Sequence, residues 1–460
     1  NGFWAKNLQE EIPAPGLSVK FLVRMGDATE RINAKLNNKL SAEQRNKIIE
    51  EEYKAIQKEN SANGKYSVVV KDFFNGNEFY YFVYQNFNDV RLVGTPPASL
   101  GKYGGDTDNW EWPRHTADFS VFRIYADANG NPAEYSINNK PLQPKHSLPV
   151  SIKGVGKGDY TMIMGYPGRT NRYLTSYGIS QLVYGDYPAW VEASKQAMDV
   201  MKKYMDKDHA TSLNYASQYA QVANYWKNRQ GTIDSVLKNG TIQDKQKVEK
   251  KFQKWANKPE NKETYANVLE NIKAYYNEVN AKNVEKSYAF QLQRNAKYIS
   301  IAYRLGAFMK TYMEQDEAKK AQLKDKAISE IDATYEKFNQ ELETEMLTQM
   351  IGLYQKKVNP NVASETLKNV DTNILNRIAT TSIFANKESL LAFLNNPNKE
   401  VLEEDKLYQL ANDYINDTKN LATKYSEADG KFAENTRIFL DGLRKSQPKK
   451  AFYPDANSTM

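Results

Sequence analysis

Residues 104–125 read GGDTDNWEWPRHTADFSVFRIY and gather much of the chain's reactive chemistry into one stretch. Its two glycines allow backbone conformations and close approaches that a Cβ forbids. Asp118 opens an alternating apolar run, DFSVFRIY. A carboxylate at the mouth of such a strand can be buried and aimed sideways. A triad of nucleophile, histidine and carboxylate needs that geometry to hold its imidazole in one tautomer. An aspartate in this position also serves as an ordinary turn or cap residue. His115 lies nearby, but as a single histidine with no second His beside it, it makes a poor metal site. DTDN at 106–109 offers carboxylates to calcium, yet it lacks the later glycine and bidentate glutamate of an EF-hand loop.

Elsewhere the chemistry is sparse. His146 sits in a proline-rich segment, QPKHSLP, and His209 in a polar helical stretch, so both are expected at the surface. There is no cysteine, which excludes disulfides, thiolate catalysis and Cys-based zinc sites. GYPGRT at 165–170 is too short for a phosphate-cradling loop and reads as a tight turn between two β runs. The net charge of +7 is spread over 460 residues rather than gathered in one tract, which argues against nucleic acid. No apolar run approaches the ~20 residues that a membrane-spanning helix needs.

The elements that must position these residues change character along the chain. Up to about residue 186, glycine is frequent and short β-type runs alternate with turns. SVKFLVRM, KYSVVVKDF, NEFYYFVYQNF, DFSVFRIYAD and DYTMIMGYP are the clearest, and Asn129-Gly130 in ADANGNPAEY signals a hairpin. One helix interrupts them, with Ser41 and Gln44 as its capping box and Ile48, Ile49, Tyr53 and Ile56 on one face. From about Tyr187 the apolar spacing becomes helical. Tyr265, Val268, Leu269, Ile272, Tyr276 and Val279 form one stripe, Val248, Phe252 and Trp255 another, and Leu407, Leu410 and Tyr414 a third. After Pro448, AFYPDANST returns to β and turn character. The expected organisation is therefore β-rich over 1–186, helical over 187–447, and β again over 448–460. The helices look inserted rather than appended. The many tyrosines admit two readings, a packed core or a platform on which sugars stack.

GGDTDNWEWPRHTADFSVFR strongly resembles the signature of the bacterial dipeptidyl-peptidase 7 and 11 family of serine exopeptidases. NGFWAKNLQEEIPAPGL at the start, MIMGYPGRTNRYLTSYGI in the middle and AFYPDANSTM at the end resemble the same family. The resemblance thus runs end to end, and is weakest inside the helical region.

The resemblance implies mixed β and α architecture: a chymotrypsin-like double β-barrel, partial in this chain, with a large α-helical domain inserted in the second barrel as a cap. It implies that Asp118 is the triad aspartate and that Asn109 and Trp110 help bind the free N-terminus of a peptide substrate. The family's catalytic His lies in a TNHH-type segment and its nucleophilic Ser in a GNSGSP-type segment, and neither is found in residues 1–460. The expectation is an internal piece of a longer enzyme that releases dipeptides from oligopeptides, the piece alone being inactive. No metal and no organic cofactor is implied, and no nucleic acid or membrane span. A homodimer is compatible with this reading. The implied location is the periplasm or outer surface of a Gram-negative bacterium. The rival reading is a non-catalytic exported glycan- or peptide-binding protein.

Overall fold

The structure, a computed structural model, describes residues 2–37, 40–105, 109–111, 113 and 115–459. The chain divides into two compact units. One comprises Asn1–Leu174, Val248–Ile272 and Gly430–Met460, the other Thr175–Lys247 and Lys273–Asp429. The helical segments 248–272 and 430–445, which the sequence texture places with the cap, group with the strands instead.

Among its described residues the first unit has ten strands: β1 (Phe3–Trp4), β2 (Ile12–Pro13), β3 (Val19–Asp27), β4 (Ser67–Phe73), β5 (Glu78–Phe87), β6 (Val90–Thr95), β7 (Lys102–Tyr103), β8 (Ala117–Asp118), β9 (Val121–Ala126) and β10 (Lys140–Pro141). β3, β5 and β4 form an antiparallel sheet in that order. Valine and aromatic residues dominate SVVVKDF and EFYYFVYQNF, as suits a half-buried pleated surface. Helix Ala42–Asn60 covers one face of this sheet, and Ile32, Ile56, Val70 and Phe79 bury together there. Its start is the expected capping box. The Gln44 amide donates to Ser41 Oγ at 3.2 Å, and the Ser41 amide to Gln44 Oε1 at 2.9 Å.

The second sheet runs β1-β6-β9-β10, with β2 also paired to β6. Gly94 of β6 is required there, because a Cβ would meet the Trp4 ring at 2.1 Å. These curled sheets with a dominant helical complement make the mixed β and α architecture that the resemblance implies.

Three β expectations are corrected. DYTMIMGYP forms no strand, and Ile163 within it is 99% exposed. A strand needs a hydrogen-bonded neighbour, and no described residue of this chain pairs with that run. AFYPDANST is likewise irregular, although tied down. The Asp455 carboxylate accepts from Thr170 Oγ1 and from the Arg172 amide, both at 2.7 Å. GYPGRT is thus not a turn between two strands but part of this contact, with the Ser458 amide donating to the Pro167 carbonyl. The Asn129-Gly130 turn exists, closed by Asp127 Oδ1 accepting from the Asn129 and Asn131 amides. The returning strand is delayed to Lys140.

The second unit is helical. Asp208 caps helix His209–Lys238 by accepting from the Thr211 amide at 2.7 Å. The expected stripe through Tyr265 and Val279 is carried by two helices, Pro259–Tyr265 and Val268–Asn295; its residues up to Ile272 belong to the first unit and are buried, while in the second unit Val279 is buried and Tyr276 half-buried. Tyr215, Tyr298, Tyr354 and Tyr414 are fully buried, so these four pack a core rather than face a sugar. Three tyrosine hydroxyls find backbone acceptors. Tyr298 donates to the Ala385 carbonyl, Tyr335 to Phe384, and Tyr414 to Ala289.

Close helix packing in this unit depends on Gly306 of helix Lys297–Met313. A Cβ there would lie 2.3 Å from the ring of Tyr408 on helix Lys406–Thr423. Gly306→Ala should therefore destabilise by about 1–3 kcal/mol through overpacking. Urea unfolding followed by circular dichroism checks this. An unchanged midpoint would contradict the packing described.

Candidate functional site

The signature loop is held between β6 and β9. Pro97 precedes a single helical turn, Ala98–Gly101, and β7 then leads out to Gly104 and Gly105. Both glycines have positive φ, 77° and 42°. The chain returns as β8, which pairs antiparallel with β7 so that Asp118 faces Lys102 in the register. The Phe119 amide donates to the Gly101 carbonyl at 3.3 Å. Gly101 has no room for a side chain, since a Cβ would meet Pro96 Cγ at 2.9 Å. The neck of the loop is therefore fixed.

Within the loop, Asn109 is half-buried and Trp110 is exposed. Trp110 has φ 63°, a left-handed conformation rare for a bulky residue. Strained backbone of this kind gathers at ligand-binding sites and persists only where the surroundings enforce it. Asp118, at a strand mouth where a carboxylate can be buried, is exposed. Its strand is two residues long and pairs only with β7. The apolar residues that follow, expected inside a barrel, are exposed as well: Phe119, Val121 and Phe122 are 40–47% accessible. Among the described residues that face is only partly covered. His115, His146 and His209 are all exposed. Asp106, Thr107, Asp108, Trp112 and Arg114 lie outside the described residues, and with them the calcium reading of DTDN. Among the described residues no cluster of His, Asp and Glu could hold a metal ion.

What anchors the loop was not apparent in its sequence. In the β6–β9 register Arg91 stands opposite Arg123. Like charges in that position repel, and each arginine here carries its own buried carboxylate. Glu11, just before β2, accepts from Arg123 Nε and from the Tyr125 hydroxyl, both at 2.8 Å. Asp89 accepts from Arg91 Nε at 2.9 Å and Nη2 at 2.8 Å, and from Asn139 Nδ2 at 2.9 Å. The Arg91 guanidinium also lies 3.7 Å from the Tyr125 ring centre. Burial works against the charged Asp89 carboxylate, but the bonds from Arg91 and Asn139 outweigh it and hold its pKa below the usual value. Burial, reinforced by the bond to Glu11, pushes the Tyr125 hydroxyl up to about 12. The one signal in the sequence was a carboxylate inside a strand-like context, as in NFNDVRLVG and LQEEIPAPG.

The family model described as Peptidase S46 matches residues 1–460. The chain belongs to the Peptidase S46 family. A Dipeptidyl-peptidase 7 from Capnocytophaga gingivalis is 44% identical over 468 residues, covering 100% of this chain and 65% of the relative. An Asp/Glu-specific dipeptidyl-peptidase from Flavobacterium psychrophilum is 35% identical, with the same coverage of both chains. The crystal structure of Porphyromonas endodontalis DPP11 in complex with dipeptide Arg-Glu superposes with a TM-score of 0.88 at 27% identity. It covers 100% of this chain and 67% of that one. The chain thus spans about 65% of the length of these curated relatives.

The Asp89–Arg91 pair supplies a prediction of its own. A carboxyl held below its unfolded pKa stabilises the fold fully above pH ~4, and that contribution is lost as pH falls through the lowered folded value. Asp89→Asn leaves a buried guanidinium without its counter-charge and should cost about 3–5 kcal/mol at neutral pH. The gap between wild type and variant should shrink in acid, where the native carboxyl is protonated too. Denaturant unfolding across pH measures both. A gap that stayed constant into acid would contradict the ion pair.

Proposed function

We propose that this chain is the larger part of a serine dipeptidyl-peptidase that removes dipeptides from the free N-terminus of oligopeptides. The observation that carries the reading is the family match along all 460 residues, to relatives that are themselves named dipeptidyl-peptidases. Asp118 would orient the catalytic histidine and stabilise its imidazolium while serine attacks the second peptide bond. Both partners would come from outside residues 1–460. The exposure of Asp118 suits a carboxylate that awaits such a partner. The apolar face of Phe119, Val121 and Phe122, together with the accessible Leu148, Val150, Ile152 and Ile163, would be covered in the whole protein. Backbone amides would stabilise the oxyanion, and the chemistry would require no metal or organic cofactor. An exported enzyme, periplasmic or on the outer surface, is part of the same proposal.

Asn109 and Trp110 would meet the substrate's amine. An α-amino group is cationic near neutral pH, with an unperturbed pKa of about 7.7–8.0. Drawing it from water requires acceptors at a fixed distance from the nucleophile, which is also how two residues are counted off. The Asn109 side-chain oxygen and the Trp110 carbonyl could supply such acceptors, on a loop whose neck is fixed by β7 and β8.

In the whole enzyme, Asp118→Asn should lower turnover by on the order of 10⁴ while leaving KM nearly unchanged. A variant within tenfold of wild type would remove Asp118 from the triad. Residues 1–460 alone should release no dipeptide above background.

A second pair of assays isolates the amine clamp. Asn109→Ala should lose a charge-assisted bond of roughly 1.5–3 kcal/mol, about ten- to a hundredfold in kcat/KM for free N-termini. N-acetylated peptides, already poor substrates, should barely respond. Equal losses on both would show that Asn109 only shapes the loop.

A further inference from the structure

A cavity of about 460 Å³ lies in the first unit, between helix Ala42–Asn60, the start of β5 and helix Ser426–Lys445. Six charged side chains line it: Arg45, Arg437, Arg444, Lys445, Glu78 and Asp441. Two of the cations are matched. Arg444 pairs with Glu78, and Lys445 Nζ lies 2.8 Å from Asp441 Oδ2. Arg45 and Arg437 form no ion pair among the described residues, so the lining's four cations and two carboxylates leave two positive charges. Arg45 Nη2 donates to the Gly76 carbonyl at 3.2 Å, an uncharged acceptor. Arg437 Nε is buried and has no acceptor among the described residues.

Two guanidiniums close to one another in a partly desolvated cavity are unfavourable unless something else is gained there. Burial, and then the neighbouring Arg437, lower the Arg45 pKa, with Glu434 acting in the opposite sense from nearby. Two planar forks of N–H donors facing one cavity suit an oxyanion far better than a neutral ligand. The surplus of two charges selects a dianion.

We propose that this cavity is a binding site for a phosphate-type dianion, held between Arg45 and Arg437. Inorganic phosphate and the phosphate group of a small monoester share that chemistry. The site uses none of the residues assigned to peptide cleavage, so it stands or falls independently of that function.

The test is thermal unfolding of the 460-residue chain at neutral pH, with ionic strength held constant by sodium chloride. Sodium phosphate and, separately, a small phosphate monoester replace the chloride stepwise. A site-bound anion raises Tm saturably with concentration, whereas general exclusion of phosphate from protein surface gives a rise without saturation. The expected result is a saturating rise, weakened at least tenfold in apparent affinity by Arg45→Gln or Arg437→Gln. Without phosphate, both variants should melt no lower than wild type, because each removes a like-charge contact. Saturation by phosphate alone would identify the free ion as the ligand, and stronger saturation by the monoester would identify the ester. Should a variant fail to fold, calorimetric titration of the wild type with phosphate decides the matter. Absence of heat and of a saturable Tm rise would overturn the proposal, as would a rise that both glutamine variants retain.

Discussion

Two arginines set opposite one another on neighbouring strands constrain the β-rich unit more than any other feature. Arg91 and Arg123 face each other in the β6–β9 register, and that register holds only because Asp89 and Glu11 neutralise one each. Glu11 comes from the N-terminal segment, 112 residues from Arg123. Asp89 belongs to the bend between β5 and β6, and also receives Asn139 from the segment before β10. One polar cluster thus ties together the beginning of the chain, the central sheet and the hairpin beyond it. Buried ion pairs stabilise little against apolar substitutes, but losing one partner is costly. Their effect here is to fix alignment, because a slip of one residue would turn every side chain of β9 to the opposite face. β9 begins three residues after Asp118, so this alignment also places the carboxylate and the neck of the signature loop.

The helical unit follows a different physical logic. Its core is apolar and rich in tyrosine, and the hydroxyls of Tyr298, Tyr335 and Tyr414 reach backbone carbonyls rather than solvent. Glu343, wholly buried, is bound by the Tyr215 hydroxyl at 2.7 Å and by Lys297 at 2.8 Å. Burial still drives its pKa upward, against the attraction of Lys297. A tyrosine in such a core contributes a large apolar area together with one directional bond. This explains how a chain so rich in tyrosine need not be a sugar-binding protein.

Local signals in the sequence were legible wherever partner residues were also local. The Ser41–Gln44 capping box, the helix face of Ile49, Tyr53 and Ile56, and the strands β3 to β5 follow from periodicity and turn chemistry. The break at Ala266 in a continuous apolar stripe did not, because the stripe keeps its spacing across the interruption. DYTMIMGYP has strand composition but no strand beside it, and composition alone cannot report a neighbour's presence. The same holds for Asp118. Its type and place were readable, whereas its exposure depends on what lies across from it. Glu11 was missed because partners more than a hundred residues away leave no mark on spacing, and Asp89 because an Asp two residues before an Arg says nothing of whether the pair is buried. Asn109 and Trp110 came from the resemblance, and the structure adds the left-handed backbone at Trp110.

The proposed triad requires that an aligned β9 offer Asp118 to a catalytic histidine. Its most direct test is proton NMR of the whole protein, in the far-downfield region where an imidazole N–H hydrogen-bonded to a carboxylate resonates. Such a resonance is expected in the wild type, with its loss in Asp118→Asn and its weakening in Glu11→Gln, where the strand's anchor is loosened. A resonance that persists unchanged in Asp118→Asn would mean that another carboxylate orients the histidine, and would contradict the proposed role of Asp118.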